Sequence, residues 1–288
     1  MGAEPVGTDA VAVRAAVAAA YGKRVSSQRG CCGGGRQKNV SEIAPQVLGY
    51  TDEDVQAVPA GAEAPTFGCG NPLAFGEVRA GETVVDLGSG AGFDLLIAAE
   101  RVGPSGRVIG VDMTDEMIER ARANIAAAGH ANVEVRKGLI EDLPVESGTV
   151  DWVISNCVIN LSPEKPRVFA EMARVLKPGG RMLVADIVAD DLPAGVRHSL
   201  AAYSACVGGA LSEEQYVAGL TEAGLADVEI RRRTTYTCAE LAEFAEASGL
   251  VSAADDQADS EVVRRLAAEL GGKVASIAVF ARKPELPG

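Results

Sequence analysis

Six cysteines, at positions 31, 32, 69, 157, 206 and 238, are the side chains of this 288-residue sequence with the most distinctive chemistry. Their spacing is wide and contains no C-x-x-C pair, which argues against a zinc ribbon and against a small disulfide scaffold. We expect free thiols in a reducing compartment. Cys157 stands in ISNCVINLSPEKP, where a predicted buried strand runs into a loop. A thiol at a strand end can face a ligand, whereas Cys238 lies in no motif and is interpreted as a small buried apolar residue.

A second group of residues surrounds a glycine-rich turn. VVDLGSGAGFD places Gly88, Gly90 and Gly92 after a predicted strand that ends at Asp86, and before a predicted helix. Glycines allow left-handed backbone angles and close approach of a ligand to the main chain. The next strand ends at Asp112, where a carboxylate can bind both hydroxyls of a ribose. The turn therefore predicts a nucleotide-like cofactor.

The spacing of the glycines distinguishes two cofactors, a dinucleotide and S-adenosylmethionine. GSGAG lacks the G-x-G-x-x-G spacing of dinucleotide folds, and G-x-G-x-G after Asp-Leu is typical of methyltransferases. GLIEDLPV follows the third strand and would lie beside the adenine, with Ile140 against the ring and Glu141 near its amine. The glycine turn, Asp112 and the GLIEDLPV segment, in this order along the chain, favour S-adenosylmethionine as the cofactor.

The elements that would position these residues begin at Thr83. The predicted strands are TVVDLG, RVIGVDM, NVEVRKG, VDWVISN and RMLVADIV. The predicted helices between them are FDLLIAAERV, DEMIERARANIAAAG and PRVFAEMARVLKPGG, the last of which is stopped by Pro178 and two glycines. This alternation predicts βαβ units and a parallel sheet with helices on both faces. Later, DVEIRRRTTYT and KVASIAVFARKP are two more strands that can join the same sheet, the last one antiparallel.

Three regions follow from this pattern. Residues 1–65 contain a predicted amphipathic helix near Ala10–Ala20 and the stretch GCCGGG, which cannot form a stable helix and is interpreted as a mobile lid. Residues 66–192 form the predicted cofactor-binding α/β core. Residues 193–288 form a helical segment on the substrate side plus the last two strands.

Composition excludes several classes of protein. The formal charge is −13 and no block of Lys and Arg offsets it, which argues against nucleic acid or an anionic membrane as a partner. The N-terminus has no secretory signal pattern, and no apolar run approaches the ~20 residues that span a bilayer. We therefore expect a cytoplasmic protein, with a monomer as the default.

The sequence resembles the class I S-adenosylmethionine-dependent methyltransferases and, within them, is similar to the arsenite methyltransferases. The matching segments are GCGNPLAFGEVRAGETVVDLGSGAGFD, GRVIGVDMTDEMIERAR, ISNCVINLSPEKPRVFAEMARVLKPGGR and YSACVGGALSEEQY. The first and third are specific in combination. The resemblance implies a Rossmann-like α/β fold, doubly wound around a mostly parallel seven-stranded sheet, with an N-terminal cysteine-containing lid and helical C-terminal additions. One departure is APTF before GCG, where the family is rich in glycine and leucine.

The resemblance also implies site residues. Cys157 and Cys206 match the two thiols that hold trivalent arsenic, Cys69 matches a third thiol near the methyl donor, and Cys32 or its neighbour Cys31 matches a fourth cysteine in the lid. Pairing of one of the lid cysteines with Cys69 during turnover stays open. The implied cofactor-binding residues are Gly70, Asn71, Asp86, Gly88, Ser89, Gly90, Gly92, Asp112, Met113, Ile140, Glu141 and Asn156.

The chemistry of these residue types fits that function. Trivalent arsenic is soft and prefers thiolate to oxygen ligands. Its lone pair can attack the sulfonium methyl group of S-adenosylmethionine, so the expected task of the protein is alignment rather than general base catalysis. The implied partners are arsenite or arsenite–thiol conjugates and a thiol reductant of the glutathione or thioredoxin type, in a detoxification role.

Two other functions fit parts of the pattern. A C- or O-methyltransferase of quinone biosynthesis shares the predicted core but not the set of thiols. A thiol-based metalloid sensor would keep the fold without binding the cofactor, and the intact glycine turn with Asp112 argues against it.

Overall fold

The computed structural model describes residues 10–27, 48–59, 68–74, 76–197, 203, 206–241 and 268–285. The helices in these ranges are α1 (Ala10–Ser27), α2 (Asp52–Gln56), α3 (Phe93–Val102), α4 (Asp115–Ala128), α5 (Lys165–Val175), α6 (Ala194–Arg197) and α7 (Glu213–Glu222). The strands are β1 (Thr83–Leu87), β2 (Arg107–Asp112), β3 (Val133–Lys137), β4 (Val150–Asn156), β5 (Leu176–Ala189), β6 (Ala226–Thr235) and β7 (Val274–Arg282). The predicted alternation of strands and helices from Thr83 to Asp191 is confirmed.

All seven strands form one sheet in the order β3-β2-β1-β4-β5-β7-β6. The first five run parallel, and β7 lies antiparallel between β5 and β6. The predicted doubly wound, mostly parallel seven-stranded sheet is therefore confirmed, as is the antiparallel last strand. The order reverses between β1 and β4, and a crevice for a ligand forms at such a switch point, outside the carboxyl ends of the strands.

The central strands are apolar because both of their faces are covered. Val84, Val85 and Leu87 of β1 are fully buried, as expected for a parallel strand with helices on both sides. Two apolar clusters lie on opposite faces of the sheet region, and a third cluster surrounds the ends of β4 and β5. This third cluster contains Cys69, Cys157 and Cys206.

Helix α5 is shorter than its sequence pattern indicates. It ends at Val175, and Leu176 leaves the helix with φ −64° and ψ 137°. Pro178 disfavours helical angles at the residue before it, so the chain becomes extended and β5 begins. The sequence predicts that Pro178 and the two glycines after it stop the helix, and the helix ends at Val175, shortly before that proline.

Several expectations concern residues outside the described ranges. Cys31, Cys32 and the predicted lid are among them, and so is most of the two helices predicted within 239–270. Over the ranges that the structure does describe, no helix has both the length and the apolar character needed to cross a membrane.

Candidate active site

A cavity opens at the carboxyl ends of β1, β2 and β4. The glycine turn forms its floor, and Gly88 and Gly90 adopt φ values of 68° and 51°. A Cβ atom on Gly88 would come within 2.4 Å of a methyl carbon of Val158. The turn therefore needs glycine at this position for conformation and for space, which leaves its backbone open to a ligand.

Asp112 lies at the end of β2 on one side of the cavity. Its Oδ2 accepts a hydrogen bond from the backbone of Gly90 at 2.9 Å, and its Oδ1 accepts one from the backbone of Thr114 at 2.8 Å. Burial raises the pKa of this carboxyl above its usual range, against the lowering effect of those bonds. An ionised carboxylate has about four acceptor positions, so each oxygen can still accept a hydroxyl group.

Helix α1 closes the cavity on the side of Glu141. The side chain of Glu141 is buried and accepts hydrogen bonds from Ser162 Oγ at 2.6 Å and from Arg14 Nε at 3.1 Å. Arg14 also donates to Glu164. Arg14 and Tyr21 of the helix line the cavity. Arg14 and Glu141 are 127 positions apart in the sequence, so helix α1, from a distant part of the chain, contributes directly to the site.

Two buried carboxylates face the cavity near the end of β4. Burial raises the pKa of Asp86 well above its usual range, and the neighbouring charges of Asp94 and Asp112 raise it further. Burial also raises the pKa of Asp94 to about 6, although its hydrogen bonds with Tyr50 and Asn156 act in the opposite direction. This end of the cavity therefore suits a cationic ligand.

The three cysteines of the matched motifs lie together beside this end. Cys69 and Cys157 form a disulfide with a Cα–Cα distance of 5.9 Å, and Cys206 Sγ donates to the backbone oxygen of Cys157 at 2.8 Å. All three side chains are buried, and Cys157 lines the cavity. The sequence predicts free thiols and leaves open a bond from Cys69 to a lid cysteine, whereas the structure joins Cys69 to Cys157, 88 positions away.

The backbone is strained at two of these cysteines. In the described ranges four residues other than glycine have positive φ, and two of them are Cys157 at 57° and Cys206 at 64°. Left-handed angles are unfavourable for a residue with a Cβ, and such strain concentrates at functional sites. The fold thus presents both side chains at a conformational cost.

Comparisons with known proteins agree with this geometry. A family model described as a methyltransferase domain matches residues 79–224. An arsenic(III) S-adenosylmethionine methyltransferase from Chlamydomonas reinhardtii superposes with a TM-score of 0.61 at 31% identity, covering 82% of this chain and 74% of that one. The chain belongs to the arsenite methyltransferase family.

Curated members of the arsenite methyltransferase family include that of Halobacterium salinarum, which is 49% identical over 210 residues, 73% of this chain and 52% of the relative. The member from Aquipseudomonas alcaligenes is 44% identical over 153 residues, 50% of this chain and 44% of the relative. The chain spans about half the length of these relatives.

Most of the residues that the sequence predicts to bind the cofactor lie around the cavity of this arsenite methyltransferase family member. Those that line it are Asp86, Gly88, Ser89, Gly90, Asp112, Met113, Ile140, Glu141 and Asn156. Gly70, Asn71 and Gly92 are not among the lining residues. Asn71 instead donates to Gly49 O and Asp54 and accepts from the backbone of Leu73, which anchors the preceding segment.

Sequence reasoning missed several residues that line the cavity, and it predicted the wrong environment for one cysteine. Asp94, Arg14 and Tyr21 line the cavity without having been predicted to do so. Asp94 directly follows the glycine turn, and this position could have suggested it. Cys238 is exposed, so its interpretation as a buried apolar residue is wrong.

The two cysteine-bearing loops touch through Gly209. A Cβ atom at this position would lie 2.1 Å from the backbone oxygen of Asn160. Asn160 cannot yield easily, because its side chain donates to Asp186 Oδ1 at 2.9 Å and to Ile187 O at 2.6 Å. Contact between Gly209 and Asn160 thus holds the Cys206 loop against the Cys157 loop.

Replacing Gly209 by alanine is expected to displace Cys206 and lower the rate of methyl transfer about a hundredfold, since small misplacements of reacting groups cost that much. Affinity for S-adenosylhomocysteine, measured by calorimetry, should stay within about twofold, because the glycine turn is untouched. Gly195→Ala is the matched control, as no atom lies within 4 Å of its added Cβ. Equal rates for the two variants would contradict the role of Gly209.

Proposed function

We propose that the chain transfers methyl groups from S-adenosylmethionine to thiol-bound trivalent arsenic, as arsenite or methylarsenite, and so produces methylated arsenicals. The observation that carries the proposal is the meeting of Cys69, Cys157 and Cys206 beside the cavity, with Cys157 in its wall. Three cysteines from distant parts of the chain at one sheet edge are difficult to explain by packing alone.

The residues around the cavity fit S-adenosylmethionine. Ser89 Oγ is buried and lacks a hydrogen-bond partner among the described residues, as expected of a group that awaits a ligand. Asp112 would accept the ribose hydroxyls, and Ile140 and Glu141 would contact the adenine. When bound, the cofactor supplies an electrophilic methyl group on a positively charged sulfur.

The thiols would bind and aim the substrate. Arsenic held by thiolates of Cys157 and Cys206 is pyramidal and keeps its lone pair on the open side. Cys157 lines the cavity, so the lone pair can face the donor end of the site. Attack on the methyl carbon forms the arsenic–carbon bond as the carbon–sulfur bond breaks, and no proton has to be removed. Alignment at near-attack distance is then the main contribution of the protein.

The disulfide between Cys69 and Cys157 makes a reductant part of the proposal. Two external thiols of the glutathione or thioredoxin type would give their hydrogens to the bridge and leave as a disulfide, which frees both cysteines for arsenic. Methyl transfer raises the oxidation state of arsenic by two, and reformation of the bridge returns two electrons to the methylated product. A reducing compartment such as the cytoplasm would sustain this cycle. We take the working unit to be a monomer.

The test is a methylation assay with arsenite, a thiol reductant and isotopically labelled S-adenosylmethionine. The arsenic species are separated and identified by mass spectrometry. We expect labelled mono- or dimethylarsenicals with the reductant. Without it we expect little product, because Cys157 then stays in the disulfide and cannot bind arsenic. Absence of methylated arsenic from protein that binds the cofactor would refute the proposal. Methylation of a quinol instead, unaffected by substitution of the cysteines, would favour an enzyme of the quinone-biosynthesis type.

A further inference from the structure

Two buried side chains of opposite charge, Lys165 and Asp186, lie outside the set of residues that line the cavity. Lys165 is the first residue of α5, and Asp186 stands in the second half of β5. Moving charges out of water is costly, and replacing a buried ion pair by apolar residues of similar volume is often neutral or stabilising. The presence of this pair therefore calls for an explanation other than stability.

Asp186 connects the loop after Cys157 with the helix after Cys206. Its Oδ1 accepts a hydrogen bond from Asn160 Nδ2 at 2.9 Å, and its Oδ2 accepts one from the hydroxyl of Tyr216 at 3.3 Å. Asn160 belongs to the loop that Cys157 begins, and Tyr216 lies in the first turn of α7, the helix that follows Cys206. One carboxylate thus holds both cysteine-bearing segments.

Lys165 contacts the same two segments. Its Nζ donates to the backbone oxygen of Ser162 at 2.8 Å and lies 5.7 Å from the centroid of the Tyr203 ring, within reach of a cation–π interaction. The backbone oxygen of Tyr203 in turn accepts a hydrogen bond from the backbone of Cys206 at 3.0 Å. The ammonium group therefore touches the end of the Cys157 loop and the turn that holds Cys206.

The charges of Lys165 and Asp186 depend on each other. Burial lowers the pKa of Lys165 to about 8 and raises that of Asp186 to about 7, and the attraction between the two groups opposes both shifts. Loss of either charge would therefore favour the neutral form of the other. The two residues act as one unit across the two segments.

The distance between the two thiols decides how tightly they can share one arsenic atom. Cys206 Sγ donates to the backbone oxygen of Cys157 at 2.8 Å, so the two residues are in contact. Once one thiolate has bound arsenic, the bond to the second is intramolecular, and its strength depends on how closely that sulfur is held. Both cysteines stand in irregular segments with left-handed backbone angles, so the contacts of those segments set their positions.

We propose that Lys165 and Asp186 are positioning residues that fix the distance between the Cys157 and Cys206 thiols and so determine how tightly both hold trivalent arsenic. The inference rests on the proposed function, since it concerns the same two thiols. Neither charged side chain would touch arsenic, because each acts through the segments that carry the cysteines.

The experiment compares two small arsenicals that differ in the number of thiols they can bind. Methylarsenite has two exchangeable oxygens and dimethylarsinous acid has one, and each thiol that binds displaces one oxygen as water. The protein is the full chain, reduced and without the methyl donor, with serine in place of Cys31, Cys32, Cys69 and Cys238. Calorimetry should show methylarsenite binding this parent at least about 100-fold more tightly, because its second bond is intramolecular.

Asp186→Val in this parent removes the acceptor of Asn160 and Tyr216. It is expected to weaken methylarsenite binding about 10- to 100-fold, the range for lost hydrogen bonds to a charged group, and to leave dimethylarsinous acid within about threefold. Lys165→Met should give the same selective loss. Asp186→Asn keeps an acceptor for Asn160, so it should give a smaller selective loss, and it carries the test if the valine variant does not fold.

Two comparisons separate positioning from a loss of stability. In the double variant Asp186→Val/Lys165→Met no charge is left without its partner, so it should melt closer to the parent than either single variant while methylarsenite stays weakly bound. Leu220→Ala, at a fully buried position of α7, is the matched control and should lower the melting temperature without changing the affinity for either arsenical.

Equal weakening of the two arsenicals in the variants of Asp186 and Lys165, or no weakening, would overturn the inference. The same selective loss in Leu220→Ala would also overturn it, because lost stability would then suffice. A parent protein that binds methylarsenite no more tightly than dimethylarsinous acid would instead refute the two-thiol site of the proposed function.

Discussion

Replacement of Cys206 by serine is expected to reduce arsenite methylation on the order of a thousandfold, about 4 kcal/mol of barrier. Oxygen is a harder ligand than sulfur, and a serine hydroxyl stays protonated at neutral pH, so the variant loses one bond to arsenic. The side chain is buried against the Cys157 loop, where serine occupies nearly the same volume. Affinity for S-adenosylhomocysteine should therefore stay near the wild-type value, and the measurement is the labelled-methyl assay beside calorimetry.

Cys157→Ser should show the same loss, because Cys157 is the cysteine in the cavity wall. Cys238→Ser is the matched control, since that thiol is exposed and lies outside the cluster. Wild-type rates in Cys157→Ser or Cys206→Ser would remove that thiol from the mechanism. A loss in Cys238→Ser equal to theirs would point to a general effect of lost thiols instead.

The sheet and the glycine turn could be predicted because their signals are local. Strands β1, β2 and β4 are short apolar runs that end at Leu87, Asp112 and Asn156, and helical spacing follows each of them, so hydrophobic periodicity gives the alternation. At Gly88 the turn adopts a positive φ, and its backbone lies against Val158, both of which require glycine. Asp112 follows from the same regularity, one βαβ step later.

The remainder of the site depends on contacts between distant residues, which spacing does not encode. Tyr50 meets Asn156 across 106 positions, and Arg14 meets Glu141 across 127. Tyr50 stands in LGYTDED, which reads as the start of a helix with a capping box around Thr51. Nothing in that stretch indicates that Asp54 and Arg101 anchor it to the core with Tyr50 against Asp94. Such residues become visible only once the fold brings the segments together.

The cysteines show what residue type can predict and what depends on the folded structure. Type and motif indicated that Cys157, Cys206 and Cys69 share one edge of the sheet, and their meeting in one cluster agrees with that. The bond between Cys69 and Cys157 depends on Asn156, which holds the Cys69 loop beside the end of β4. Cys238 is exposed, which its sequence does not reveal.

Asp86→Asn is expected to stabilise the protein without cofactor while it weakens binding of the cofactor. Burial raises the pKa of Asp86 well above that of an unfolded aspartate, and the charges of Asp94 and Asp112 raise it further. The folded state therefore holds the proton more tightly, and the stability this provides is present below about pH 4 and is lost as the pH rises toward the folded pKa. Asparagine cannot ionise, so the variant escapes that loss.

The melting temperature of Asp86→Asn should thus exceed that of the wild type by an amount that grows from pH 4 to pH 8, on the order of several degrees. Affinity for S-adenosylmethionine, measured at pH 8, should fall about tenfold, because asparagine cannot ionise to attract the positively charged cofactor. Calorimetric scans across this pH range, with and without the cofactor, measure both effects. A difference in melting temperature that does not vary with pH would contradict the electrostatic cause.

Asp54→Asn gives the comparison of opposite sign. Burial raises the pKa of Asp54, but hydrogen bonds from Thr51 and the paired guanidinium of Arg101 outweigh it and lower the pKa below its usual range. The stability from Asp54 is therefore present above about pH 4 and is lost on acidification, so this variant should melt below the wild type at pH 8 and approach it toward pH 3. Opposite pH trends for Asp86 and Asp54 would distinguish two roles for a buried aspartate. Asp54 stabilises the fold through its pairing with Arg101. Asp86 lowers stability when it ionises, and its charge instead serves to bind a cationic ligand.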